Sequence, residues 1–140
     1  MNTLSYLVSP KSVAVIGASD NPEKIGFQIF SNIIAGGFVG KVTPVNVHGR
    51  AILGQTCYKS VLEIPGEVEL GVIVIPSAFV KAAVLECIEK KVKSLIIISA
   101  GFGEVNDEGK KLEKEIADLC RAKNIALLGP NCLGLINTKA

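Results

Sequence analysis

Five short runs dominated by Val, Ile and Leu recur along this chain, and the segments between them carry helical apolar spacing. That alternation constrains the fold more than any other feature. Strands joined through helices need long crossovers, and such crossovers build a parallel sheet with helices on both faces. The runs are Ser12–Gly17, Lys41–Asn46, Leu70–Ile75, Ser94–Ser99 and Ile125–Leu128. The three later ones are almost continuously apolar, as strands covered on both sides must be.

The intervening helices follow from the same reading. After Ser77 as N-cap, Val80, Ala83, Val84, Cys87 and Ile88 recur at helical spacing, while Lys81, Glu86, Glu89 and Lys90 take the outer face. The last helix, entered through Asn106 or Asp107, buries Leu112, Ile116, Leu119 and Cys120 and exposes Lys110, Lys111, Glu113, Lys114 and Arg121. The first runs from about Ile25 through Phe30, Ile33 and Ile34 and ends at Gly36-Gly37. A shorter turn covers Ser60–Ile64, and residues 1–10 form a helix or arm that packs through Leu4, Leu7 and Val8. With no internal repeat or linker-like stretch, residues 1–140 are expected to form one doubly wound, Rossmann-like α/β domain.

Composition removes several classes of function. Lys and Arg are scattered among Asp and Glu for a net charge of +2, so no concentrated basic face exists to bind nucleic acid. No apolar run approaches the roughly 18 residues of a membrane span, and no leader opens the chain, so a cytoplasmic location is expected. Cys57, Cys87, Cys120 and Cys132 lie far apart with one histidine in the chain, which supports neither a metal site nor a redox pair. Reduced, mostly buried thiols are the expectation, with Cys132 at a strand end but lacking a base.

In a doubly wound sheet a ligand lies beyond the carboxyl ends of the strands. Here those ends read Gly17-Ala18-Ser19, Asn46-Val47-His48, Ile75-Pro76-Ser77, Ser99-Ala100-Gly101-Phe102-Gly103 and Gly129-Pro130-Asn131-Cys132. Small residues let a ligand approach the backbone, and the Ser and Asn side chains are neutral donors. In the first turn, Gly17 permits the sharp bend, Ser19 can donate to a phosphate, Lys24 adds a positive charge, and Gly26 lets the helix approach the sheet. The order required of a Walker A loop is missing, which argues against nucleotide hydrolysis. From Lys24 to Leu62 there is no Asp or Glu, so the second strand ends without the carboxylate that an NAD ribose wants. A phosphorylated ribose fits better. His48 reads as a loop residue or phosphate contact, and neither Ser77 nor Ser99 has a nucleophile elbow around it, so no catalytic residue is assigned.

Together, Pro10-Lys11-Ser12-Val13-Ala14-Val15-Ile16-Gly17-Ala18-Ser19, Thr43-Pro44-Val45-Asn46, Val74-Ile75-Pro76-Ser77, Ile98-Ser99-Ala100-Gly101-Phe102 and Gly129-Pro130-Asn131-Cys132-Leu133-Gly134 resemble the CoA-binding domain of NDP-forming acyl-CoA synthetases. That family includes ADP-forming acetate–CoA ligases and the α subunit of succinyl-CoA synthetase. The resemblance implies a CoA site with Gly17, Ala18, Ser19, Lys24, Ile25 and Gly26 around the phosphates and Asn46 and Val47 near the second strand. It places Pro76 beside the adenine and Ser99 with Ala100 along the pantetheine arm. It further implies that Lys41, His48 or Arg50 neutralises the 3′-phosphate.

Two departures stand out. Many relatives continue Asn-Pro-Lys where this chain has Asn46-Val47-His48, leaving the 3′-phosphate contact open. The family also passes its phosphoryl group through a phosphohistidine domain to an ATP-grasp domain, and this sequence ends at Ala140, just where the next domain is expected. On that reading the chain binds CoA or acyl-CoA for a ligase without turning over alone. The rivals are a stand-alone CoA sensor or carrier and an NADP-binding oxidoreductase domain.

Overall fold

The computed structural model describes residues 2–134 and Thr138; Met1 at the start of the expected arm, and residues 135–137, 139 and 140, lie outside the described residues. The five expected strands are present as β1 (Ser12–Ile16), β2 (Lys41–Val45), β3 (Leu70–Ile73), β4 (Ser94–Ile97) and β5 (Ala126–Leu128). They form one parallel sheet in the order β2-β1-β3-β4-β5. Most stop one or two residues short of the expectation, because the chain turns out of the sheet where the strand-end motifs begin. Hydrogen bonding carries one step further at three places: Gly17 N–H donates to Val45 O at 2.9 Å, Val74 N–H to Ile16 O at 2.8 Å and Ile98 N–H to Ile73 O at 2.9 Å.

Neighbouring strand residues face opposite sides, and the two cores divide accordingly. On one face Ala14, Ile16, Ile73, Leu95 and Ile97 pack under α3 (Ser77–Lys90) and α4 (Asp107–Ala122), through Val80, Val84, Cys87, Ile116 and Cys120. On the other, Val13, Val15, Leu70, Val72 and Ile96 pack under α2 (Ile25–Ala35) through Phe30, Ile29 and Ile33. The short α1 (Ser5–Val8) joins the second core through Leu7, while Leu4 and Val8 are exposed rather than packed as expected.

Helix ends follow their caps with one correction. Asn106 caps α4, its Oδ1 accepting from Gly109 N–H at 2.7 Å, and α2 ends at Ala35 before Gly37 takes φ +78°. The N-cap of α3 is Pro76, not Ser77, which is already helical. The proline ring holds φ at −55° while ψ at 142° keeps the residue out of the helix, and it has no N–H to satisfy. The Ser60–Ile64 turn is a single 3₁₀ turn (Val61–Glu63), with Ser60 Oγ accepting from Leu62 N–H at 3.1 Å.

Candidate functional site

The chain goes one way from β1 to β2 and the other way to β3, so a crevice opens between the carboxyl ends of β1 and β3. Gly17 stands at its lip with φ +102°; a Cβ there would lie 2.2 Å from Val74 O, so both the bend and the close approach require glycine. Its N–H donates to Val45 O at 2.9 Å. Gly26 serves a different purpose. A Cβ on it would fall 1.9 Å from Gly17 O, so the absence of a side chain lets the first turn of α2 rest on the β1 turn. Between them Ala18 is fully buried, Lys24 and Ile25 are exposed at the entrance of α2, and Ser19 Oγ accepts from Asn21 N–H at 3.1 Å. That bond leaves the Ser19 hydroxyl proton available to a ligand.

A cavity of about 500 Å³ occupies the crevice. Four of the eleven expected site residues line it: Gly17, Asn46, Val47 and Pro76. Asn46 is more brace than free donor. Its Nδ2 donates to Ala18 O at 2.7 Å and its Oδ1 accepts from His48 N–H at 2.8 Å, locking the β1 turn to the loop after β2. Ser99 lies at the end of β4, 8% exposed, where its Oγ accepts from Ile75 N–H at 3.0 Å and its carbonyl accepts from Asn131 N–H at 2.9 Å. It ties the ends of β3, β4 and β5 together, and Ala100 beside it is exposed. Ser99 and Ala100 therefore border the crevice without entering the cavity.

Two expectations are corrected here. Glu86 is not on the outer face of α3: it lines the cavity, and Ser60 Oγ donates a short hydrogen bond to its Oε1. A second bond, from Lys90 Nζ to Ile64 O, closes the 3₁₀ turn against α3 and makes this the cavity's side wall. The signal was present in the sequence, since Phe79, Ala82, Ala83 and Glu86 fall at i, i+3, i+4 and i+7 on a stripe adjacent to the core stripe. Lys41 lies at the other end of the sheet. It pairs with Ser12 at the start of β2, four steps of about 3.3 Å before Val45, too far to serve a phosphate at the carboxyl ends.

Charge around the site is also redistributed by folding. His48 and Arg50 face a small separate recess with Asp20, so the acid-free stretch has a carboxylate brought to it from the β1 turn. At the end of β4, the Glu104 carboxylate accepts from its own backbone N–H and, through Oε1, from those of Gly101 and Phe102, which holds its carboxyl below the usual glutamate range. Burial pushes the Cys87 thiol up to about 12 and the Cys120 thiol up to about 11, which removes both from chemistry at neutral pH. Cys132 Sγ sits 3.3 Å from Ile97 O as a structural donor. Among the described residues no cluster of His, Cys, Asp and Glu could hold a metal, and no helix is long and apolar enough to cross a membrane.

The CoA binding domain family matches residues 11–138. The chain is 48% identical over 139 residues to the α subunit of an ADP-forming acetate–CoA ligase II from Pyrococcus furiosus, covering 98% of this chain and 30% of that protein. It is 45% identical to an ADP-forming 4-hydroxybutyrate–CoA ligase from Nitrosopumilus maritimus, covering 96% of this chain and 19% of that one. The solved complex of the Candidatus Korarchaeum cryptofilum dinucleotide forming acetyl-coenzyme A synthetase 1 with phosphate and ADP superposes with a TM-score of 0.90. Identity there is 38%, over 96% of this chain and 28% of that structure. The chain thus spans less than a third of the length of these relatives.

Proposed function

Because the chain belongs to the CoA binding domain family, we propose that residues 1–140 act as one CoA-binding unit of an ADP-forming acid–CoA ligase. The observation that carries the reading is the cavity at the β1/β3 crevice, with a glycine turn on one side and no carboxylate on the β2 loop that lines the other. Its walls suit a purine, being formed chiefly by Ile16, Val45, Val61, Ile75, Pro76 and Phe79. Backbone N–H groups of the β1 turn, the Ser19 hydroxyl and Lys24 at the entrance of α2 bind the diphosphate. Ile25 and Gly26 bring that entrance within reach. Asn46 and Val47 bound the ribose end, and Pro76 lies against the adenine. Ser99 and Ala100 guide the pantetheine arm along the end of β4.

The remaining steps belong to other domains of the same enzyme, a phosphohistidine domain and an ATP-grasp domain; this unit orients the thiol or thioester toward them. The four cysteines, all free thiols, agree with a cytoplasmic setting. The test is the shift of thermal midpoint with CoA, acetyl-CoA, NAD and NADP at matched concentration. Ligand at about 100 times its Kd stabilises by about 2.7 kcal/mol, a shift of several degrees for a chain of this size. A rise with CoA and acetyl-CoA is expected. A rise with NADP alone would transfer the chain to the oxidoreductases.

A further inference from the structure

The β2 loop lacks the lysine that its position would need to hold a ribose phosphate, and folding disposes of the substitutes visible in the sequence. Lys41 is at the amino end of β2, away from the cavity, and His48 and Arg50 face the recess that also holds Asp20. One cation lines the cavity itself, and it comes from a different segment: Lys59, which follows Tyr58. Tyr58 is hydrogen-bonded on both sides of the β2 end, its N–H to Pro44 O at 3.1 Å and its carbonyl accepting from Asn46 N–H at 2.9 Å. That pairing fixes Lys59 beside the loop. Its stem covers Gly49: a Cβ on that glycine would lie 3.2 Å from Lys59 Cγ and 3.3 Å from Cε. Its backbone N–H donates to Glu63 Oε2 at 3.0 Å, whereas its ammonium enters none of the ion pairs among the described residues.

We propose that Lys59 is the specificity residue for the 3′-phosphate of CoA, replacing from the β2–β3 connection the lysine that the loop after β2 lacks. The inference rests on the CoA reading above. The ammonium is exposed and pairs with neither Glu63 nor Glu86, the carboxylates nearest it, so it can close on a phosphate dianion at the cavity mouth, a charge-assisted contact that a 3′-hydroxyl cannot make. The glycine beneath the stem keeps the side chain over the loop.

The test is calorimetric titration of the 140-residue chain with CoA and with 3′-dephospho-CoA, using wild type, Lys59→Met, Lys59→Arg, His48→Ala and Arg50→Ala. Wild type is expected to favour CoA by about tenfold, a preference that shrinks with added salt. Lys59→Met should abolish most of that preference while leaving 3′-dephospho-CoA binding unchanged, Lys59→Arg should restore it, and the His48 and Arg50 variants should keep it. Retention of the preference in Lys59→Met, its loss in Arg50→Ala or His48→Ala instead, or an equal loss for both ligands would overturn the assignment while leaving CoA binding intact. Failure of wild type to bind either ligand would overturn the CoA reading and the assignment with it.

Discussion

Replacing Gly26 by alanine separates close packing from backbone conformation at this site. Gly26 lies in the first turn of α2 and is not among the positive-φ glycines, so its backbone accepts any residue. Helix propensity alone then favours alanine by about 1 kcal/mol. Against this, the new Cβ would lie 1.9 Å from Gly17 O, while ordinary contact begins at 3.4 Å, a deficit of 3.4 − 1.9 = 1.5 Å against backbone that cannot rotate away. The helix entrance must move off the β1 turn by about that distance. Overpacking of this kind costs about 1–3 kcal/mol, and at the upper end when the obstacle is main chain, so the net expectation is a loss of about 2 kcal/mol. For a chain of 140 residues this is a fall in Tm of roughly 6–10 °C. Urea denaturation with the m-value monitored is the assay, followed by CoA titration of the folded variant, which should bind at least tenfold more weakly because the phosphate-binding N–H groups have been displaced. A Gly26→Ala variant as stable as wild type or more so would show that α2 does not depend on this contact.

Three further outcomes follow from individual contacts. Asn46→Ala removes the bonds to Ala18 O and from His48 N–H, so denaturant unfolding should register a loss of about 1–2 kcal/mol, whereas a loss-free variant would remove the brace from the account. Glu104 has its folded pKa lowered by its own backbone N–H and those of Gly101 and Phe102, so its contribution is present at neutral pH and disappears as pH falls through that lowered value. Amide exchange at Gly101 and Phe102 should accelerate across that acidic window in wild type and be already fast in Glu104→Ala; a pH-independent protection would contradict it. A maleimide at pH 8 should label Cys132 before Cys87 or Cys120, whose raised pKa and burial restrict them to reaction through unfolding, and prompt native-state labelling of Cys87 would refute the buried assignment.

Local chemistry determined much of this molecule without reference to distant residues. A continuous apolar run such as Leu95-Ile96-Ile97 is stable only with cover on both faces, and the alternating Val13, Ala14, Val15 and Ile16 indeed divide between two cores. The β1 glycine turn, the entry to α4 at Asn106 or Asp107, the short turn over Ser60–Ile64 and the absence of acids after β2 were legible because each depends on residues a few positions apart. Helix faces were less so. Glu86 matches a solvated stripe by composition, yet the 3₁₀ turn from another part of the chain folds against it and makes it a cavity wall. The sign of local charge was likewise a tertiary matter: Asp20 joins His48 and Arg50, while Lys59 comes from the β2–β3 connection to line the cavity. Periodicity and turn chemistry act through neighbours along the chain. Coulombic and packing partners are chosen by strand order, and strand order is decided only when the sheet closes.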